Sequence, residues 1–201
     1  MGERSSWRTT THDWSEDLDE EHLVGVRERL GRGASAGGLR HLVLEVLAYA
    51  DEEAESLGRK GTAAVTHHGD GSITVADDGR GTDTRTDGDG RVVRKPVMAT
   101  PDVRFRDEAS APRLPDGLPR RGMSTVAALS SRLVHQNHRR DGSWSQTYRR
   151  GIPDDDLAAV EPRETTGTSV TFTASLDGPR DLVDTDLDAF PWLTVRRTRD
   201  E

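Results

Sequence analysis

Cysteine is absent from this 201-residue sequence. That excludes disulfides, thiolate metal sites and cysteine nucleophiles. Lysine is almost absent too: only Lys60 and Lys95 occur among 28 basic residues. The remainder are arginine, which reads as compositional bias rather than an arginine-specific site. Aromatic residues are scarce, at 4%, and hydrophobic residues make up 32%, against about 45–50% in ordinary globular chains. A core can form, but a small one. No apolar run approaches the ~18 residues a membrane-spanning helix requires. The first 19 residues are polar and acidic, with no apolar stretch of ~7–15 residues to act as a secretory signal. A cytoplasmic location and no membrane partner are therefore expected. The net charge of -8 argues against a chain that holds nucleic acid by its phosphates, so no direct DNA binding is expected.

Residues 1–22 read as an acidic, disordered arm carrying Trp7 and Trp14 and the acidic run Glu16–Glu21. The two tryptophans would dock on a partner or on the domain itself. Residues 23–201 read as one domain. Leu39, Leu42, Val43, Val46, Leu47, Ala50 and Ala54 recur at the spacing of one apolar helix face, bounded by Gly37-Gly38 and Gly58. Glu45, Tyr49 and Glu52 line up on the other face. Thr62–His67 and Ser72–Ala76 flank Gly69-Asp70-Gly71, a hairpin signal. Residues 82–121 are rich in Gly, Pro and charge and read as a mobile, lid-like loop. Met123–Leu133 has a second amphipathic helical pattern. Val134–His138 and Trp144–Tyr148 flank Arg139-Arg140-Asp141-Gly142, another hairpin signal. Thr168–Thr173 alternates as a strand, and Leu182–Arg197 is a weak helix or strand. Hairpin-joined strands and two helices favour an α+β fold, a two-layer sandwich with a mixed, mostly antiparallel sheet and helices on one face. His67 and His68 are adjacent on a strand and so point to opposite faces, which makes a shared metal unfavourable. His135 and His138 carry no better signal, and no metal site is expected.

Four segments in order resemble the ATPase domain of DNA gyrase B, a type IIA topoisomerase component of the GHKL superfamily with its Bergerat fold. They are Arg40–Leu47, Val75–Gly81, Arg139–Gly142 and Thr166–Phe172; Val26–Arg29 is similar to the segment that opens that domain. The resemblance covers roughly residues 23–176 and implies ATP or ADP as ligand. It implies that Asp77 accepts from the adenine amino group and that Gly79 and Gly81 let the backbone approach the base. Arg80 would stack along the pocket edge, Thr168 would share a water with Asp77 and the base, and Arg140 would stand at the pocket mouth. Glu45 would be the general base that activates water. Gly117 and Gly122 match the two ends of the phosphate loop. On its own, Asp77-Asp78-Gly79 would be a simple turn, and Glu45 an exposed helix glutamate.

Three departures from the family pattern shape the expectation. The family's Asp-Asn pair after its catalytic Glu is replaced by Ala48 and Tyr49, so a bulky phenol stands at the Mg²⁺-ligand position. Mg²⁺ demands close octahedral oxygen ligands, which a neutral phenol supplies poorly. The Gly-Leu-His-Gly-Val-Gly phosphate loop reads Gly117-Leu118-Pro119-Arg120-Arg121-Gly122 here; Pro119 has no N–H to donate. Thr82-Asp83 replace the family's Ile-Pro, and neither a transducer nor a DNA-cleavage domain is expected within these 201 residues. The expectation is an adenine-nucleotide site with impaired Mg²⁺-dependent hydrolysis, serving a regulatory or interaction role with a protein partner or as a homodimer. Two alternatives stand beside it: an active ATPase or topoisomerase accessory component, and a protein that binds an aminocoumarin-like small molecule in the adenine pocket.

Overall fold

The computed structural model describes residues 18–31, 36–82, 85–86, 88–89, 92–93, 96–140, 142–154 and 157–200. Two helices begin the fold. The first, α1 (Glu20–Leu30), starts inside the segment read as an acidic arm. Its Asp19 cap accepts from the His22 N–H, Glu20 and Glu21 lie in the first turn, and Arg27 and Arg29 lie in the last. This charge order complements the helix dipole. Trp7 and Trp14 lie outside the described residues.

The second helix, α2 (Gly38–Leu57), is the long apolar-faced one. It ends at Gly58, whose left-handed conformation (φ +62°) lets its N–H cap Ala54 and Glu55 carbonyls. Strands β1 (Gly61–His67) and β2 (Ile73–Asp77) follow as a hairpin, with β3 (Arg85–Thr86) and β4 (Val92–Val93) forming a separate two-stranded pair. After α3 (Met123–Leu129) come β5 (Arg132–Arg139), β6 (Gly142–Arg149), β7 (Ile152–Pro153), β8 (Ala158–Ala159) and β9 (Gly167–Thr173). The short α4 (Asp184–Leu187) and β10 (Leu193–Arg199) end the described chain. The main sheet has eight strands, in the order β10-β1-β2-β9-β5-β6-β7, with β8 pairing to β6. Every pairing in it is antiparallel except β1 with β10. The mixed, mostly antiparallel sheet read from the sequence is the one found.

One sheet face carries the core. Leu42, Val43 and Leu47 of α2 pack with Ala63 and Val65 of β1, Val75 of β2, Leu133 of β5 and Phe172 of β9, all almost fully buried. Burial of each larger side chain among them contributes about 1.5–3 kcal/mol. A second cluster joins α1 to α3 through Leu23, Val26, Leu30 and Ala128. The opposite sheet face is threonine-rich, with hydroxyl contacts Thr66–Thr198 (2.9 Å) and Thr74–Thr171 (2.8 Å).

One expectation needs correcting. The helical pattern at Met123–Leu133 stops at Leu129, because the Ser130 backbone turns extended (φ −90°, ψ +128°), with its hydroxyl on the Val126 carbonyl (2.7 Å). Leu133 is instead an inward residue of β5. Part of the segment read as a mobile loop is tied to the domain, although residues 106–110 are exposed. Val97, Met98, Ala99, Phe105 and Leu114 are buried, and the Asp19 N–H donates to the Ala99 carbonyl (2.9 Å). The weak tail signal resolves into α4 followed by β10.

Candidate functional site

Most of the sequence-selected residues lie beside α2 in two groups; Arg140 and Gly117 do not. The first lies where β2 ends and β9 begins. Asp77 closes β2, and antiparallel pairing with β9 brings Thr168 next to it. Asp77 Oδ1 accepts from the Gly79 N–H (2.8 Å) and the Thr168 N–H (3.3 Å), while Oδ2 accepts from the Thr168 hydroxyl. Burial pushes the Asp77 carboxyl above its ordinary range, and the Thr168 and Gly79 donors partly oppose that. Gly167 is required here: a Cβ would stand 2.0 Å from the Asp77 carbonyl oxygen. The Thr166 hydroxyl fastens the turn by donating to the Gly79 carbonyl (2.7 Å).

Arg80 forks onto Glu53 of α2, with Nε at 2.6 Å and Nη2 at 2.9 Å, and reaches Ser56 (3.1 Å). Gly81 adopts φ +83° and lies so close to Asn137 that a Cβ would approach its Oδ1 to 2.6 Å. Asn137 in turn accepts from the Thr82 N–H and donates to the Thr82 carbonyl. Arg140 is exposed at the β5–β6 turn. The space bounded by Ala50, Ala54, Gly61, Asp77, Gly79 and Leu193 leaves no room for a water molecule. A purine would have to part these walls. A larger cleft, about 260 Å³, is lined by Val65, His67, Asp181, Leu182, Arg197 and Arg199. It lies at the other end of β1, since Ala63 pairs with Asp77 whereas His67 pairs with Ile73.

The second group is formed by α2, residues 102–105 and the loop before α3. Glu45 is wholly buried, not on an exposed face. Its Oε1 accepts from the Arg121 N–H, and His41 lies one turn earlier, 3.6 Å away. Burial raises the Glu45 carboxyl, against the opposing pull of His41, the Arg121 amide and Arg120. His41 Nδ1 meets Asp116 at 2.7 Å, and that contact helps to hold the Asp116 carboxyl below its ordinary value despite burial. Arg120 Nη1 is bonded to Glu52. Tyr49 donates to Asp102 Oδ2 (2.6 Å), and Asp102 pairs with Arg104 (2.7 Å). Burial pushes the Tyr49 phenol up, and the neighbouring Asp102 carboxylate adds to this. Gly122 must be glycine-like: it adopts φ +87°, and a Cβ would meet Asp102 at 3.0 Å and the Tyr49 hydroxyl at 3.2 Å.

Gly117 does not join this group. It sits in an exposed turn closed by its N–H to the Leu114 carbonyl (2.8 Å). Asp102, Arg104, Phe105, His41 and Asp116 were not singled out from the sequence. His41 had a usable signal, one helical turn before Glu45; the others lie in the irregular segment, where no periodicity points to them. The residues here do not fit a magnesium ion. The oxygen at position 49 is a phenol engaged with Asp102, and the Glu45 and Glu52 carboxylates are turned onto Arg121 and Arg120. Among the described residues no three His, Cys, Asp or Glu side chains converge to hold a metal.

No protein-family model matches the chain. Its sequence is 34% identical over 161 residues to DNA gyrase B of Streptomyces coelicolor, covering 78% of this chain. It is 35% identical over 157 residues to DNA gyrase B of Mycobacterium tuberculosis, covering 77%. The chain spans 23% of the length of each. Its fold matches the topoisomerase IV ATP-binding domain of Francisella tularensis, solved with a small-molecule inhibitor. That match has a TM-score of 0.64 at 22% identity and covers 88% of this chain and 50% of that one. The eight-stranded sheet with its helices thus defines an α/β domain of the GHKL ATPase fold. Within that class, the chain is a gyrase-B-like domain. No helix among the described residues is long and apolar enough to cross a membrane.

Proposed function

We propose that this domain binds an adenine nucleotide, ATP or ADP, with impaired Mg²⁺-dependent hydrolysis, and acts as a regulatory or interaction module. The observation that carries the reading is the Asp77 carboxylate, half-buried beside Gly79 and bonded to Thr168, at the end of β2. A charged acceptor in such a setting makes a strong directional bond to an amino group. Arg80 on Glu53 borders this end, Arg140 lies at the β5–β6 turn, and Gly79 and Gly81 keep the backbone close. The Thr168 hydroxyl, now on Asp77, would turn to share a water with the base. A bound adenine has to open the closed space near Ala50 and Leu193, so affinity should be modest. Impaired hydrolysis follows from Tyr49, which is locked on Asp102 where the related domains have a metal-binding asparagine. It follows also from Pro119, which has no N–H. Glu45 is the residue of the right chemistry for a general base, but it is engaged with Arg121.

A cytoplasmic location fits this role, with a protein partner or a second copy of the chain as the interacting species. Isothermal titration with ADP and with a non-hydrolysable ATP analogue, each with and without Mg²⁺, tests the reading. Binding of ADP that is indifferent to Mg²⁺ is expected. Binding that tightens with both Mg²⁺ and the γ-phosphate would replace this reading with an active ATPase, and no binding would send the search to protein partners.

A further inference from the structure

The contacts of Glu45 are those of a bound anion. Although it is fully buried, it is held by the main chain, with the Arg121 N–H donating to Oε1. Its Oε2 faces Arg120 Nε at 3.7 Å, and neither atom has a hydrogen-bond partner. Arg120 Nη1 is anchored on Glu52, whose carboxylate also receives Arg104 (3.1 Å). Arg104 holds Asp102, and Asp102 accepts from Tyr49. The Arg120 guanidinium lies against both the Tyr49 ring (4.9 Å) and the Phe105 ring (4.5 Å). The loop before α3 is therefore fastened to α2 at Glu45, Tyr49 and Glu52. An amide N–H and a guanidinium converging on one carboxylate are the donors a phosphate oxygen would use.

We propose that Glu45 is an internal ligand that shuts the phosphate end of the site. Its carboxylate occupies the Arg121 amide and faces the Arg120 guanidinium, and a polyphosphate enters only by displacing it. This rests on the nucleotide reading above and names the regulation of that site. In the closed form the carboxylates of Glu45, Glu52 and Asp102 face the guanidiniums of Arg104 and Arg120, while the Arg121 guanidinium turns to Glu108 (3.6 Å) and His41 (3.4 Å). Entry of a polyphosphate frees Glu45 and transfers its donors to the ligand. The closed form is not deep, because Glu45 Oε2 and Arg120 Nε and Nη2 are buried without partners, and orphaned polar atoms of this kind are costly. Opening also releases Glu45 toward a water, so binding and any turnover share one gate.

The test combines amide hydrogen exchange at Arg121 with titration by inorganic tripolyphosphate, on the full chain and on Glu45→Ala and Glu45→Gln. In the wild type the Arg121 amide should exchange slowly. Glu45→Ala should speed that exchange and tighten tripolyphosphate binding, each by about tenfold, the equivalent of losing one charge-assisted hydrogen bond. Glu45→Gln keeps the shape and an acceptor for the amide, so it should fall between. Unprotected exchange in the wild type would overturn the proposal. So would tripolyphosphate affinity that rises in neither variant, or that rises equally in both with exchange unchanged. Should Glu45→Ala fail to fold, wild-type exchange and Glu45→Gln decide the matter. Adenosine titrated in parallel separates the two readings: its failure to bind any form overturns nucleotide binding, while the exchange data still judge the closure.

Discussion

The guanidinium of Arg120 lies over the ring of Tyr49, 4.9 Å from its centroid. These are two of the positions at which this sequence departs from the gyrase-B pattern, and they depart together. Arginine on the loop supplies the cation, and tyrosine on α2 supplies the aromatic face and a hydroxyl for Asp102. A change at one is buttressed by the other, so neither is an isolated lesion.

For that reason Tyr49→Asn alone should not restore ATP hydrolysis. Pro119 and the Arg120–Glu52 pair still occupy the loop. Phosphate release from ATP, with Mg²⁺ present, should stay at the wild-type level. Robust turnover by this single variant would refute the account.

Tyr49→Phe removes only the hydroxyl donated to Asp102 (2.6 Å). A hydrogen bond to a charged group contributes about 1.5–3 kcal/mol, and Arg104 continues to satisfy Asp102. A loss near the lower end of that range is expected in urea unfolding. An unchanged midpoint would mean that the phenol contributes nothing to closure.

At the other end of the site, Asp77→Asn replaces an acceptor-only carboxylate with an amide, one of whose ends donates. ADP affinity should fall about tenfold or more, as expected for losing a charge-assisted hydrogen bond. Thermal melting should move less, because Thr168 and Gly79 can still be satisfied. Equal ADP binding by wild type and variant, measured by calorimetry, would remove Asp77 from the adenine contact.

Four carboxyls with shifted values should shape the acid side of the stability profile, and the lowered His22, His67 and His138 work against folding as pH falls through the ordinary imidazole range. Burial raises the carboxyls of Glu45 and Asp77, so the folded state takes up their protons before the unfolded chain does. Stability then increases as pH falls through their folded values toward the ordinary carboxyl range. Asp102 and Asp116 have the opposite shift, lowered by Arg104 and by His41 respectively. Their contribution is complete above the ordinary carboxyl range and is lost as pH falls through their depressed values. Melting temperature against pH should show the Glu45 contribution as a flatter limb above the ordinary carboxyl range in Glu45→Gln than in the wild type. Limbs of equal slope in the two would contradict it.

Much of this was readable from residue order. The apolar spacing from Leu39 to Ala54 located α2 to within three residues, since nothing inside it interrupts the period and glycines bound it. Asp70-Gly71 and Asp141-Gly142 marked the hairpins for the same local reason. Met123–Leu133 misled because Leu129 and Leu133, four apart, satisfy a helix period while Leu133 also satisfies an inward strand position; the extended backbone at Ser130 separates them. The fold class and the gyrase-B likeness followed from ordered motifs. The partners of Glu45 and Tyr49 did not, because Asp102, Arg104 and Arg120 reach them by tertiary packing of an irregular segment. The lone parallel pairing was also illegible, since nothing local to residues 193–199 names β1 as the neighbour.

That pairing carries a kinetic consequence. β10 lies beside β1 in parallel, from Gly61 with Leu193 to His67 with Arg199, so the first strand of the sheet is completed by the last. During synthesis, α2 and the β1–β2 hairpin can form early, but the side of β1 that receives β10 stays open until some 130 more residues have emerged. Such distant closure slows folding. It also falls on the wall that shelters Asp77, because Leu193 packs against Gly61 and the Trp192 N–H reaches back to Asp51 of α2 (2.8 Å). The Asp77 end of the domain thus depends for its closure on a strand made long after the hairpin it completes.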